Sequence, residues 1–293
     1  MGDTVTAPVT VIQPSRGWRA LGLHEVWEYR DLLYFLVWRQ VKGRYRQMAL
    51  GPLWVILHPL MSMVVFTVIF GKVARIPTDN LPGPLFYYSG LLPWVLFSGA
   101  ANGAATSLVS NMNLISKVYF PRLIIPLSAA LGGLIDFCFS LVVLVGMMLA
   151  FGYTPQITII LLPFYLALAL ATALAIGLWL AALAVKFRDV SFGINYFIQL
   201  LLYACPVIYP MSSIPARWAT IYKLNPMAHV VEGCRWAIFG AVRVGESEGT
   251  AATQIVGHPP EPMLAVAAAL VFLALISGAY HFRRTERTIV DLL

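Results

Sequence analysis

With 293 residues, 59% of them hydrophobic and only 11% charged, and a mean hydropathy of +0.78, the chain is too apolar for a soluble domain and too long for one or two membrane anchors. It reads as an integral membrane protein, in which a net charge of +7 reports topology and anionic headgroups rather than nucleic acid. Cys138, Cys205 and Cys234 show no CxxC spacing and point to neither a disulfide framework nor a metal site.

Residues 1–23 lack periodicity and read as a mobile tail. They hold Arg16 and Arg19 but no apolar run, so no cleavable signal is predicted and the amino terminus is expected in the cytoplasm. Over 24–49 the spacing predicts an amphipathic helix. Val26, Tyr29, Leu33, Val37, Val41, Tyr45 and Met48 share one side, Glu28, Asp31, Arg39, Lys42 and Arg46 the other, and Phe35 interrupts the polar side. A basic amphipathic helix lies in the headgroup plane, as an anchor or as a docking surface for a partner.

A Leu50-Gly51-Pro52 turn redirects the chain into a transmembrane domain over 50–281. The first span, 52–71, carries Trp54 and His58 one turn apart. The second, 85–108, contains Gly90, Pro93, Gly99 and Gly103, positions that permit close helix approach and bending, so Pro93 and Trp94 mark a packed or flexed region. Between the second and third spans lies 111–122, NMNLISKVYFPR. Asn113 fits an N-cap, Leu114 to Phe120 allow about two helical turns, and Pro121 ends them. Such a helix either engages a partner or rests on the headgroups.

The third span, 123–151, has Gly132 and Gly133 for close packing and Asp136 in its apolar middle. No basic partner stands nearby in sequence, which leaves two roles for this acid: a structural hydrogen-bond centre, or a cation or proton site. The fourth span, 157–185, ends in Lys186-Phe187-Arg188-Asp189-Val190, and the fifth covers 191–209. After it the chain stays aromatic and aliphatic but is broken by Pro210, Pro215 and Pro226 and carries Arg217, Lys223, Glu232 and Arg235. Non-helical backbone at membrane depth needs protein or a water-lined cavity around it. Residues 211–240 are therefore predicted as two short re-entrant helices forming a lid. A polar loop from Arg243 to Pro262 precedes the sixth span, 263–280, and a basic tail, 282–293. The proposed inner segments hold 14 of the 20 Lys and Arg residues, so six spans with both ends inside satisfy the positive-inside bias.

The chemistry of a catalyst is missing. No GxxxxGK[ST] occurs, and Gly71-Lys72 is followed by valine; HExxH and GxSxG are likewise missing, and the five histidines are scattered. No catalytic residue and no metal ligand is assigned, and the chain reads as a conduit without its own engine.

The surface helix, the Leu-Gly-Pro turn, KVYFPR after the second span, KFRDV before the fifth, and PVIYPMSSIPARWATIYKLNPMAHVVEGCRWAIFG after it together resemble the membrane subunits of ABC-type-2 exporters. Within that family the similarity is to permeases exporting O-antigen, capsular polysaccharide or teichoic acid, and it covers about residues 25–285. The resemblance implies an all-α membrane protein with six spans per protomer, an amphipathic interface helix and re-entrant gate helices. It implies a homodimer driven by two copies of a cytoplasmic ABC ATPase, with ATP and magnesium bound by that partner and no cofactor in this chain. It assigns ATPase coupling to Asn113, Leu114, Lys117, Tyr119, Phe120 and Arg122, to Arg188 and Asp189, and to Arg39 and Lys42 on the first helix. It assigns the gate to Pro210, Pro215, Trp218, Asn225, Pro226, Glu232 and Arg235.

For the substrate, Trp54, Tyr87, Tyr88, Trp94, Phe97, Tyr196, Tyr203 and Tyr209 lie on the first, second and fifth spans, where the family's channel walls are expected. Aromatic faces suit the C–H faces of sugars, although interfacial anchoring uses the same residues. A lipid-linked polysaccharide is the expected cargo. The alternatives are a drug or small-lipid exporter of the same family and a membrane-embedded glycosyl or acyl transferase.

Overall fold

The computed structural model describes residues 23–46, 53–115, 117, 120–244, 252–257 and 259–289. Residues 1–22 of the tail expected over 1–23, the turn at residues 50–52 and Tyr119 fall outside the described residues, as does the side chain of Arg188, while Leu23 already belongs to a helix.

The expected first helix is two helices, α1 (Leu23–Glu28) and α2 (Arg30–Tyr45), meeting at Tyr29. Of the predicted apolar side, Val41 is buried, Val26, Leu33, Val37 and Tyr45 are half-buried, and Tyr29 is exposed. Its other side is less polar than predicted, because Trp27, Tyr34, Phe35 and Trp38 are all exposed there. The first span is α3 (Leu53–Phe66), extended by a π-helical stretch, Thr67–Val73.

The centre of the molecule is α4 (Gly83–Ser110), the expected second span. It is followed by α5 (Met112–Ile115), α6 (Ile124–Leu131), α7 (Gly133–Ala150) and, after a 3-10 turn at Ile157–Leu161, α8 (Leu162–Lys186). Then come α9 (Arg188–Leu201), α10 (Ala216–Tyr222), α11 (Pro226–Phe239) and α12 (Pro262–Ile289). The loop expected before the last span includes a two-stranded antiparallel ribbon, β1 (Ala241–Val244) and β2 (Ala252–Ile255), so the fold is helical but not purely so. The tail expected from residue 282 continues α12 as helix to Ile289.

Helices α3, α6, α7, α8, α9 and α11 all pack on α4. Small residues make this possible, since association within a bilayer relies on close van der Waals contact rather than on a hydrophobic drive. A methyl group on Gly177 of α8 would stand 2.5 Å from Ala104 Cβ and 3.2 Å from the Ala101 carbonyl. Gly103 admits Ala129 of α6 in the same way, and Gly278 brings α12 against Trp179 of α8. These contacts leave Phe86, Tyr87, Tyr88 and Phe97 of α4 with almost no exposed surface.

Among the described residues four segments are long and apolar enough to cross a membrane: Leu53–Val73, Ile124–Ala150, Ile157–Lys186 and Pro262–Thr285. Helix α4 has the length but a more polar, Gly- and Ser-rich composition. The fifth expected span is helical only through Leu201, with a single 3-10 turn at Leu202–Ala204 beyond it. Fourteen helical residues rise about 21 Å, short of a hydrocarbon core of about 30 Å.

Candidate functional site

Three groups of polar side chains stand out, two of them at opposite ends of the helical bundle. The first is built from the chain after α9. Pro210 is buried and Pro215 and Trp218 are exposed, and between them the backbone turns through a short 3-10 segment, Met211–Ser213, into α10. Asn225 caps α11: its Oδ1 accepts from the Met227 amide at 3.0 Å, and Pro226 occupies the first turn, where its missing N–H costs nothing. Asn225 Nδ2 also donates to the Ala204 carbonyl at 2.9 Å, tying the start of α11 to the end of α9. Asn225-Pro226 is thus a cap and a tether.

Glu232 and Arg235 lie one turn apart on α11, each 1% exposed. Arg235 Nη1 donates to Glu232 Oε1 at 3.2 Å and to the Pro206 carbonyl at 2.6 Å, while Nη2 donates to the carbonyls of Val207 at 3.1 Å and Phe86 at 3.3 Å. Its guanidinium sits 3.8 Å from the Phe86 ring centroid, a cation–π contact made stronger by desolvation. Glu232 Oε1 accepts in addition from the Met211 amide at 3.1 Å. One buried ion pair therefore joins α11 to the loop after α9 and to the first turn of α4. Gly90 leaves the space that the guanidinium occupies, and Gly233 leaves that of the Tyr165 ring. At the rim, Lys223 pairs with Glu261 at 2.6 Å and Ser212 donates to Asp79 at 3.0 Å.

The second region is the opposite end. Among the described residues of the turn expected to form a two-turn helix, the helical ones are α5, which begins before Asn113 and ends at Ile115. The amides of Leu114 and Ile115 donate to the Asn111 carbonyl, so Asn113 lies inside the helix and is not its cap. Asn113 and Lys117 are exposed, Leu114 and Arg122 half-buried. Phe120, expected at the surface, is 5% exposed and packs with Leu108, Ile115, Leu123, Leu178 and Phe282 in a second apolar cluster. An aromatic ring beside Pro121 gains more from that cluster than from solvent. Arg39 of α2 reaches Asn111 at 3.4 Å, Lys42 is exposed, and Asp189 is exposed at the start of α9. Arg283 of α12 pairs with Glu25 of α1 at 3.1 Å, so the two ends of the described chain meet here.

Sequence spacing gave no sign of a third group. Arg44 and Tyr45, at the end of α2, both donate to the Asp136 carboxylate. One turn earlier, Gln40 donates to Ser128 of α6 at 3.2 Å. Asp136 was expected in the apolar middle of a span without a basic partner. In the structure it shares a cavity with Val55 and Pro59, from the first turns of α3. Burial pushes the Tyr45 phenol above its ordinary range and keeps it a proton donor.

The aromatic residues expected along a channel divide in two. Tyr87, Tyr88, Trp94 and Phe97 are buried inside the single chain, where ring-on-ring and helix packing hold them. Trp54, Tyr196 and Tyr203 are exposed, and Tyr209 is half-buried, its hydroxyl donating to the Tyr203 carbonyl at 2.8 Å. Among the described residues no cluster of three His, Cys, Asp or Glu side chains forms a metal site.

Similarity to known proteins follows the same map. An O-antigen export system permease protein of Myxococcus xanthus is 34% identical over 268 residues, 90% of this chain and 96% of its own length. One from Klebsiella pneumoniae is 28% identical over 202 residues, covering 69% and 77%. A polysialic acid transport protein of Escherichia coli is 24% identical over 201 residues, covering 68% and 78%. Residues 31–239, from the start of α2 to the last residue of α11, match the family described as ABC-2 type transporter, and the chain belongs to that family.

Proposed function

We propose that the chain is the permease subunit of an ATP-driven exporter that moves lipid-linked polysaccharide from the cytoplasm across the bacterial inner membrane. The observation that carries this reading is the match to an O-antigen export permease over nearly the full length of both chains. The chain has no nucleotide-binding motif, so the reading gives ATP and magnesium to a separate cytoplasmic ABC ATPase, two copies of which drive two copies of this permease.

In this reading the α1–α2 end faces the cytoplasm, as the concentration of Lys and Arg there supports. The Glu25–Arg283 pair supports an even number of crossings, with α4 and the whole stretch from α9 through the 3-10 turn to Tyr209 completing six, the last by helix and non-helical backbone together. The exposed positions of the short turn, Asn113 and Lys117, and Asp189 and Lys42 beside it, are the contact surface for the ATPase. The α10–α11 segment is the re-entrant gate, held in place by Arg235. Trp54, Tyr196 and Tyr203 remain as candidates for the glycan path, because their faces are open to a second copy or to cargo.

The test is reconstitution of the permease with its ATPase in vesicles. Lipid-linked polysaccharide is expected to stimulate ATP hydrolysis and to appear on the far side. Stimulation by a hydrophobic drug with none by glycolipid would overturn the polysaccharide reading in favour of a drug exporter. Glycosyl or acyl transfer by the permease alone would overturn it in favour of a transferase.

A further inference from the structure

A cavity of about 260 Å³ opens between the end of α2, the first two turns of α3, and the facing stretches of α4 and α6–α7. Its walls are apolar, with Val55, Pro59, Leu92, Val95, Leu96 and Phe137, and its polar side carries Arg44 and Asp136. Apolar cavities of about 150 Å³ already hold a benzene ring, so this one admits a stretch of hydrocarbon chain but not a whole polyprenyl tail. Arg44 spends one N–H group on Asp136, and a guanidinium has five. The side chain is 38% exposed, so donors remain for a ligand at the rim. Arg39, Lys42 and Arg46 stand exposed on the same two turns, which makes the surroundings positive despite Asp136.

We propose that this cavity binds an anionic phospholipid, with its phosphate at Arg44 and one acyl chain between α3, α4 and α7. An amphiphile with an anionic head matches a basic rim above an apolar slot. A second copy of the chain does not fit as well, because an apolar helix face laid over the opening would leave the spare Arg44 donors in hydrocarbon. The site rests on the proposed orientation only for which leaflet supplies the lipid, namely the cytoplasmic one.

The test uses the purified full chain without ATPase, so its result is independent of transport. Lipid retention is read by native mass spectrometry with phosphatidylglycerol or phosphatidylcholine of identical acyl chains. The wild type is expected to retain phosphatidylglycerol preferentially, and Arg44→Gln to weaken that preference about tenfold, the worth of one charge-assisted hydrogen bond. Gly99→Leu places a side chain in the cavity where no atom lies within 4 Å of the new Cβ, and it is expected to lower retention of both lipids. Equal retention of the two lipids by the wild type, or undiminished retention by Gly99→Leu, would overturn the site. Thermal unfolding of the same samples is read alongside, and protection reproduced by inorganic phosphate alone, which needs no chain slot, or protection that grows with protein concentration, which marks a second copy as the occupant, would also overturn the site.

Discussion

Replacing Arg235 by methionine keeps most of the volume and removes the charge. The side chain it replaces is 1% exposed and serves four acceptors: Glu232 and the carbonyls of Pro206, Val207 and Phe86. Removing one member of a buried ion pair costs about 3–5 kcal/mol, because the remaining charge loses its counter-ion. At roughly 2–4 °C per kcal/mol for a chain of this order of size, the apparent melting temperature should fall by roughly 6–20 °C. Adding Glu232→Gln removes the stranded charge yet keeps an acceptor for the Met211 amide. The double variant should therefore recover much of the loss and retain about 1–3 kcal/mol for the carbonyls left unpaired. The assay is thermal unfolding of the purified permease in detergent, followed by intrinsic fluorescence and by loss of the monodisperse peak. An independent check is Gly90→Ala, whose methyl would collide with the guanidinium and lie 3.3 Å from Val207 Cα, and which should destabilise in the same direction. If Arg235→Met melted within about 2 °C of wild type, or if the double variant fell by the sum of the two single losses, the buried pair would not be what holds α11 to α4.

Other substitutions probe separate joints. Asn225→Ala removes the cap of α11 and the tether to Ala204, and should cost about 0.5–2 kcal/mol for the cap alone; Asn225→Asp keeps the cap and loses the tether, so the difference in melting temperature between the two isolates each part. Gly177→Val forces a branched side chain into the 2.5 Å gap at Ala104 and should cost about 1–3 kcal/mol, seen as lower yield and an earlier thermal transition. Phe120→Asp should unfold the Asn111 end, because it buries a carboxylate in the apolar cluster, whereas Lys117→Glu should leave melting unchanged and weaken co-purification of the ATPase. Equal melting of Phe120→Asp and wild type would show that the ring does not need that cluster.

The parts of the fold legible in the sequence are those set by composition over a long window. Apolar runs of twenty residues or more mark Leu53–Val73, Ile124–Ala150, Ile157–Lys186 and Pro262–Thr285 without further help. The small residues of α4 also announced close packing, and Gly103 and Gly90 do admit neighbours, Ala129 and Arg235 respectively. The break of α11 from what precedes it was visible in Pro226, whereas the cap that Asn225 supplies came from the structure.

What the sequence concealed depends on which groups meet across long separations. Phe120 and Tyr87 look alike to any local rule, as aromatic rings beside a turn or in a span, and both are buried because other helices arrive from elsewhere in the chain. Asp136 is the sharper case. Its neighbours in sequence are apolar, so counting along the span placed it alone in hydrocarbon, whereas its partners stand 91 and 92 positions earlier. Yet α2 carries Gln40 and Arg44 one turn apart, and the third span carries Ser128, Gly132 and Asp136 at the same interval. The partners do not keep one interval, since Gln40 and Arg44 are four residues apart whereas Ser128 and Asp136 are eight apart, with Gly132 between them leaving room for the Gln40 side chain. An acid in a span is costly enough that it demands a partner, and the search for one belongs first on the amphipathic helix, where cations border the apolar face, rather than along the span itself.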